Sequence, residues 1–288
     1  MSLIERAIEK IRATSGGAEP ARPTRRETTH PAGKSAGTAS RVAAAPQLTI
    51  TPESLAAAGF RAPTEFLHQQ TAEYRHIKRQ LIAGMREVKN GHPRLIVVTS
   101  ALAQDGKTHS AVNLALSLAM EPDYSVLLVD ADVIKPNLSR SFGVQARPGL
   151  MEAVSNPEIQ PESLVLSTNV EGFSILPAGR RDENATEYFA SARMVEVINQ
   201  LMTPANRIVV VDTLPLLLTT ESRALLPLAG HVVMVVRADV TPTEAVRSAV
   251  ELIGESTNVS LLLNGVEVDA IGNRLYRNYS YKYSNTGD

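Results

Sequence analysis

From Arg94 onward, apolar β-branched runs and helical patterns take turns along the chain. The runs fall at 95–99, 126–130, 173–177, 207–212, 231–236 and 259–263, and helical periodicity fills 107–120, 183–202 and 242–254. Strands that are apolar on both faces, with helices between them, belong in a parallel sheet covered on both sides. Right-handed crossovers then lead to an α/β fold: a doubly wound, mostly parallel sheet with helices on both faces. A length of 288 residues with 43% hydrophobic content is enough for one large domain or two small ones.

Several function classes drop out early. The formal net charge is -1, so no global field favours nucleic acid. There is no cysteine, which removes disulfides, thiolate chemistry and cysteine–zinc sites. His30, His68, His76, His92, His109 and His231 are scattered without a ligand spacing. The longest apolar runs are of strand length, short of the roughly 20 residues a membrane helix needs. The start MSLIERAIEKIRA lacks the apolar core of a secretory signal. The expectation is a soluble, cytoplasmic protein without a transmembrane segment.

The flanks differ from the main body. Residues 1–12 read as an amphipathic helix, with Leu3, Ile4, Ala7, Ile8 and Ile11 on one face. Two readings stand for it: docking on its own domain, or docking on a partner or membrane surface. Residues 13–46 are rich in Gly, Pro, Ser, Thr and Ala and read as a disordered linker. Residues 47–90 form a helical extension, whose basic helix within 64–89 carries Arg75, Lys78 and Arg79 beside a sparse stripe of Tyr74, Ile77, Leu81 and Met85. Residues 91–270 hold the alternating body, and 271–288 form a tail.

The chemistry concentrates at three strand ends. "RLIVVTSALAQDGKTHSAV" runs from a strand through a loop into a helix that begins at the lysine. Ala101-x4-Gly106-Lys107-Thr108 is the phosphate-loop signature with alanine for the first glycine. Backbone N–H groups of Ala101, Gln104, Asp105, Gly106, Lys107, Thr108 and His109 are placed to meet phosphate oxygens. Lys107 would reach the β/γ-phosphates of ATP, and Thr108 would bring a hydroxyl to Mg²⁺. "VLLVDADV" ends a second strand with Asp130 and Asp132 at the edge where ligands bind in such sheets. Two carboxylates there would repel a triphosphate unless Mg²⁺ lay between them. "RIVVVD" ends a third strand with Asp212, placed to hold a Mg²⁺ shell. The tail "RLYRNYSYKYSNTGD" packs Tyr276, Tyr279, Tyr281 and Tyr283 close together, as an exposed acceptor tail or as an edge strand with alternating tyrosines.

Together these elements resemble the bacterial protein-tyrosine kinases of exopolysaccharide and capsule synthesis, within the P-loop NTPase superfamily. "DTLPLLLTTESRALL" and the N-terminal "MSLIERAIEKIRA" are most similar to the autokinases found beside exosortase loci. The resemblance implies autophosphorylation of the tail between subunits, with Lys107, Asp130 and Asp132 catalytic and Thr108, Asp130 and Asp212 around the metal. Asp130 is the favoured base, with Asp132 the alternative. It also implies that Asn264 contacts adenine, against a plain strand-end turn role. Arg75, Lys78 and Arg79 would pack subunits into a ring. The implied partners are a second copy, a membrane chain-length determinant (a polysaccharide copolymerase) that holds the kinase at the inner face of the membrane, and a tyrosine phosphatase.

Departures from the family pattern fall at Ala103, Ile134 and Leu214. Partition ATPases share the fold but carry a signature lysine where this chain has Leu102. The competing function is a nucleotide-dependent assembly factor that gates a membrane polysaccharide complex without significant phosphotransfer.

Overall fold

The computed structural model describes residues 47–58, 60, 70–88, 90–254 and 258–266. The chain divides into units Met1–Ala44 and Ala45–Asp288, and all of the described residues belong to the second. The N-terminal helix, the linker and the tyrosine tail expected from the sequence lie outside the described residues.

Seven strands make one sheet: β1 (His92–Ser100), β2 (Ser125–Asp130), β3 (Leu166–Ser167), β4 (Phe173–Leu176), β5 (Arg207–Asp212), β6 (Ala229–Arg237) and β7 (Asn258–Asn264). Their order is β3-β4-β2-β5-β1-β6-β7, and every pairing is parallel except β3–β4. The helices are α1 (Pro52–Ala57), α2 (Gln70–Gly84), α3 (Lys107–Ala119), α4 (Asn137–Ser141), α5 (Leu150–Ser155), α6 (Ala185–Phe189), α7 (Ala192–Leu201), α8 (Glu221–Leu225) and α9 (Thr243–Ile253).

The strand period sorts the core into two layers. Leu95, Val97, Leu127, Val129, Val209 and Val211 face α5, α6, α7 and α9. Ile96, Val98, Val126, Leu128, Ile208 and Val210 face α1, α2 and α3. Burying each such side chain contributes about 1.5–3 kcal/mol, so the central strands anchor everything at their ends. The helical extension shares this core: Leu55, Tyr74, Leu81 and Met85 are buried in the second layer. At the end of α2, Gly84 sits so close to the His231 ring that a Cβ would meet Cε1 at 2.9 Å.

The structure departs from the sequence reading in three places. The single helix expected over 183–202 is two, because the Ser191 side chain accepts from the Met194 N–H and starts α7 afresh. The two-residue β3 is too short to leave a periodic signal and runs antiparallel to β4. Lys78, expected on an oligomerisation face, is buried: it donates to the Ser117 carbonyl at 2.9 Å and pairs with Glu121 at 2.6 Å. Arg75 and Arg79 are exposed.

Candidate nucleotide site

The central strands β1, β2 and β5 end side by side, with Asp130 directly opposite Asp212 in the ladder. After β1 the chain turns through Ala101–Gly106 and enters α3 at Lys107. Gly106 takes φ +95°, and a Cβ there would run into the Asn264 amide. Gln104 is also left-handed, at φ +69°. Ala101 is fully buried and is not a positive-φ residue, so its position never required glycine.

A ring of side chains braces this loop. Ser100 Oγ donates to the Leu102 carbonyl at 2.6 Å, and the Leu102 N–H donates to Asp105 Oδ2 at 3.2 Å. Thr241 Oγ1 donates to Asp105 Oδ1 at 2.7 Å, and Asn264 Nδ2 donates to the Asp105 carbonyl at 2.9 Å. Arg237 reaches the Gln104 carbonyl at 3.4 Å. Asp105 is buried, with both carboxylate oxygens spent on the loop and on β6's end. Its side chain therefore acts as a brace for the loop. Asn264 clamps the same loop. The His109 ring lies 3.1 Å from the Asn113 amide and stacks on Phe60 at 6.1 Å.

Four charged groups remain at the mouth. Lys107 Nζ lies 3.2 Å from Asp132 Oδ2, while Asp132 Oδ1 accepts the Lys135 N–H at 2.8 Å. Burial works against the Lys107 charge, but Asp212, Asp132 and Asp130 outweigh it and raise its pKa. Asp130 Oδ2 accepts both the N–H and Oγ of Ser139, at 2.8 and 2.6 Å, and Oδ1 accepts the Asp132 N–H. Burial and then the Asp212 charge push the Asp130 carboxyl up to about 7, against those hydrogen bonds. Burial pushes Asp212 up to about 6, although Lys107 and the Thr108 hydroxyl both lower it. Neither Asp212 oxygen completes a hydrogen bond, so the Thr108 hydroxyl eases its charge without satisfying it.

A buried carboxylate with free lone pairs is costly unless something takes them. A hard divalent cation with oxygen ligands suits Asp212 and Thr108, with Asp130, whose oxygens Ser139 and the Asp132 N–H already occupy, adding its charge alongside. No group of three or more His, Cys, Asp or Glu among the described residues makes a complete cage. Mg²⁺ here would draw its remaining ligands from water and phosphate, which is its usual habit.

The departures from the family pattern also find their places. Leu214 is buried, and its carbonyl accepts from Thr99 at 2.9 Å and Ser222 at 2.7 Å. Ile134 is exposed, two residues beyond Asp132. Sequence reasoning missed Ser139, Thr241 and Arg237. None of them sits in a recognisable spacing to the site, since tertiary contact alone brings them there.

A parallel sheet with a lysine-bearing loop at a helix N-terminus and carboxylates on the two adjoining strand ends defines a P-loop nucleotide-binding domain. The profile of the AAA domain family matches residues 94–262. The chain belongs to that family, within the P-loop NTPase superfamily, and is similar to bacterial tyrosine-protein kinases.

The tyrosine-protein kinase YwqD of Bacillus subtilis is 28% identical over 193 residues, 67% of this chain and 78% of YwqD. The succinoglycan biosynthesis transport protein ExoP of Rhizobium meliloti is 30% identical over 198 residues, 67% of this chain and 24% of ExoP. This chain thus spans about a quarter of the longer relatives. The solved BceF tyrosine kinase domain is 26% identical with a TM-score of 0.62, covering 77% of this chain and 93% of that one. No helix among the described residues is long and apolar enough to cross a membrane.

Proposed function

We propose that the protein is a Mg-ATP-dependent tyrosine autokinase that phosphorylates Tyr276, Tyr279, Tyr281 and Tyr283 between subunits. The observation that carries this reading is the unsatisfied Asp212 carboxylate beside Thr108, with Lys107 poised on Asp132. Mg²⁺, when bound, supplies charge neutralisation to the β- and γ-phosphate oxygens. Thr108 and Asp212 would hold it, with the Asp130 charge beside them.

The loop amides and Lys107 bind and orient the phosphates. A triphosphate competes with Asp132 for the Lys107 ammonium, and that competition frees Asp132 Oδ2. Asp130 is enclosed, with both oxygens already accepting hydrogen bonds. The contacts therefore favour Asp132 over Asp130 as the base. The tyrosine O–H proton passes to that carboxylate as the phenolic oxygen bonds to the γ-phosphorus. The bond to the bridging oxygen breaks, and ADP leaves. A phenol with a pKa near 10 benefits from such a base at neutral pH.

The similarity to ExoP, a succinoglycan biosynthesis transport protein, supports a place in regulating exopolysaccharide polymerisation or export. A membrane chain-length protein would be the activator and anchor, and a tyrosine phosphatase would reset the tail. Each phosphate adds about -1.5 to -2 charge, so phosphates on all four tyrosines would reverse a tail that carries Arg274, Arg277 and Lys282 against Asp288. The expected result is dispersal of the oligomer.

Incubation with Mg-ATP followed by phosphotyrosine mapping tests the reading, with Lys107→Met as control. Tail phosphorylation lost in the variant is expected. ATP hydrolysis with an unmodified tail, even with the activating partner present, would establish the assembly-factor function instead.

A further inference from the structure

The sheet ends at β7, which among the described residues pairs only with β6. The outer backbone groups of β7 are an open template for another strand. Its side chains are unusual for such an edge. Leu261 and Leu263 are each 59% exposed, although they share a face with Val259, which packs on the core. Edge strands that stay unpaired ordinarily carry charge, proline or a bulge there.

The chain itself supplies a matching segment. Beyond β7 it turns at Gly265, with φ +71°. Residues 277–283 then read Arg-Asn-Tyr-Ser-Tyr-Lys-Tyr, with Tyr279, Tyr281 and Tyr283 at the two-residue period of a strand. Both segments are seven residues long, and 265–276 are ample to reverse direction between them.

We propose that residues 277–283 add to the outer edge of β7 as an antiparallel eighth strand, with Tyr281 opposite Leu261. That register sets Tyr279 against Leu263 and Tyr283 against Val259, so three phenol rings cover the apolar face. Ser280, Lys282 and Asn278 fall on the other face, against Leu262, Ser260 and Asn264. Tyr276 stays in the connection. If the site transfers phosphate to the tail, the docked strand withholds three of the four acceptors and leaves Tyr276 first in line.

Limited trypsin digestion of the full chain without nucleotide tests the strand independently of any phosphotransfer. Cleavage after Arg274, Arg277 and Lys282 is timed, each rate divided by that in the urea-unfolded chain. Cleavage after Arg277 and Lys282 is expected to be at least tenfold slower than after Arg274. Ser280→Pro, which removes a backbone donor without touching the domain, should bring both to the Arg274 rate. Leu261→Thr with Leu263→Thr keeps strand propensity and should accelerate both several-fold. Equal rates at the three sites in the wild-type chain would overturn the proposal. So would protection indifferent to Ser280→Pro, or protection that grows with protein concentration, which would assign the edge to a second copy.

Discussion

Asp212 is buried at a strand end with no hydrogen-bond partner, and its carboxyl is pushed up to about 6. Asp212→Asn is expected to raise the melting temperature of the nucleotide-free protein by a few degrees, about 1–2 kcal/mol. The same change should abolish the stabilisation given by Mg-ATP, which thermal shift with and without the ligand would report. The pH dependence follows from the same groups. Asp130 and Asp212 are raised from 3.8 to about 7 and about 6, so the folded state holds protons that the unfolded chain has lost. The contribution of these two carboxyls to folding therefore falls as pH rises between about 4 and 7. Mg²⁺ needs them ionised, so its stabilising effect should be greater at pH 8 than at pH 5.5. Urea titrations at both values, with and without Mg-ATP, check the sign. The placement of Asp130, Asp132, Asp212 and Lys107 was legible in the sequence, because each ends a strand, follows one by two residues or opens a helix. Ser139, which holds Asp130, was not: it lies nine residues on with no motif around it.

At the scale of elements, the phosphate loop is held from outside itself. Asp105 ties Leu102 in the loop to Thr241 beyond β6, and Asn264 at the end of β7 clamps the same turn. Thr241→Val should therefore loosen a loop it never touches through a phosphate. An affinity loss for ATP of about tenfold, read by calorimetry, corresponds to about 1.4 kcal/mol. The helix α2 shows the opposite lesson. Its basic composition suggested an interaction face, yet Lys78 is spent inside on Ser117 and Glu121. Composition reports charge but not where a long side chain ends. Lys78→Ala should cost about 1–3 kcal/mol in urea unfolding, whereas changes at the exposed Arg75 or Arg79 should leave stability nearly unaltered. The break at Ser191 was legible in principle, since serine is a preferred helix N-cap. The two-residue β3 was not, being shorter than any period it could display.

For the whole molecule, the parallel order β4-β2-β5-β1-β6-β7 follows from apolar runs that alternate with helices, and the sequence displays those runs openly. The sheet gathers three strand ends, the outer two more than a hundred residues apart in the chain, into one mouth. That convergence is what a sequence motif can only imply. In the proposed function, this mouth passes phosphate to the chain's own tyrosines. The most direct measurement follows ADP release and phosphotyrosine formation together after Mg-ATP is added to purified protein with its activating partner. The two are expected to rise in equal amounts, with phosphate on Tyr276, Tyr279, Tyr281 and Tyr283, and both should be abolished in Lys107→Met. ADP released with no phosphotyrosine would contradict it.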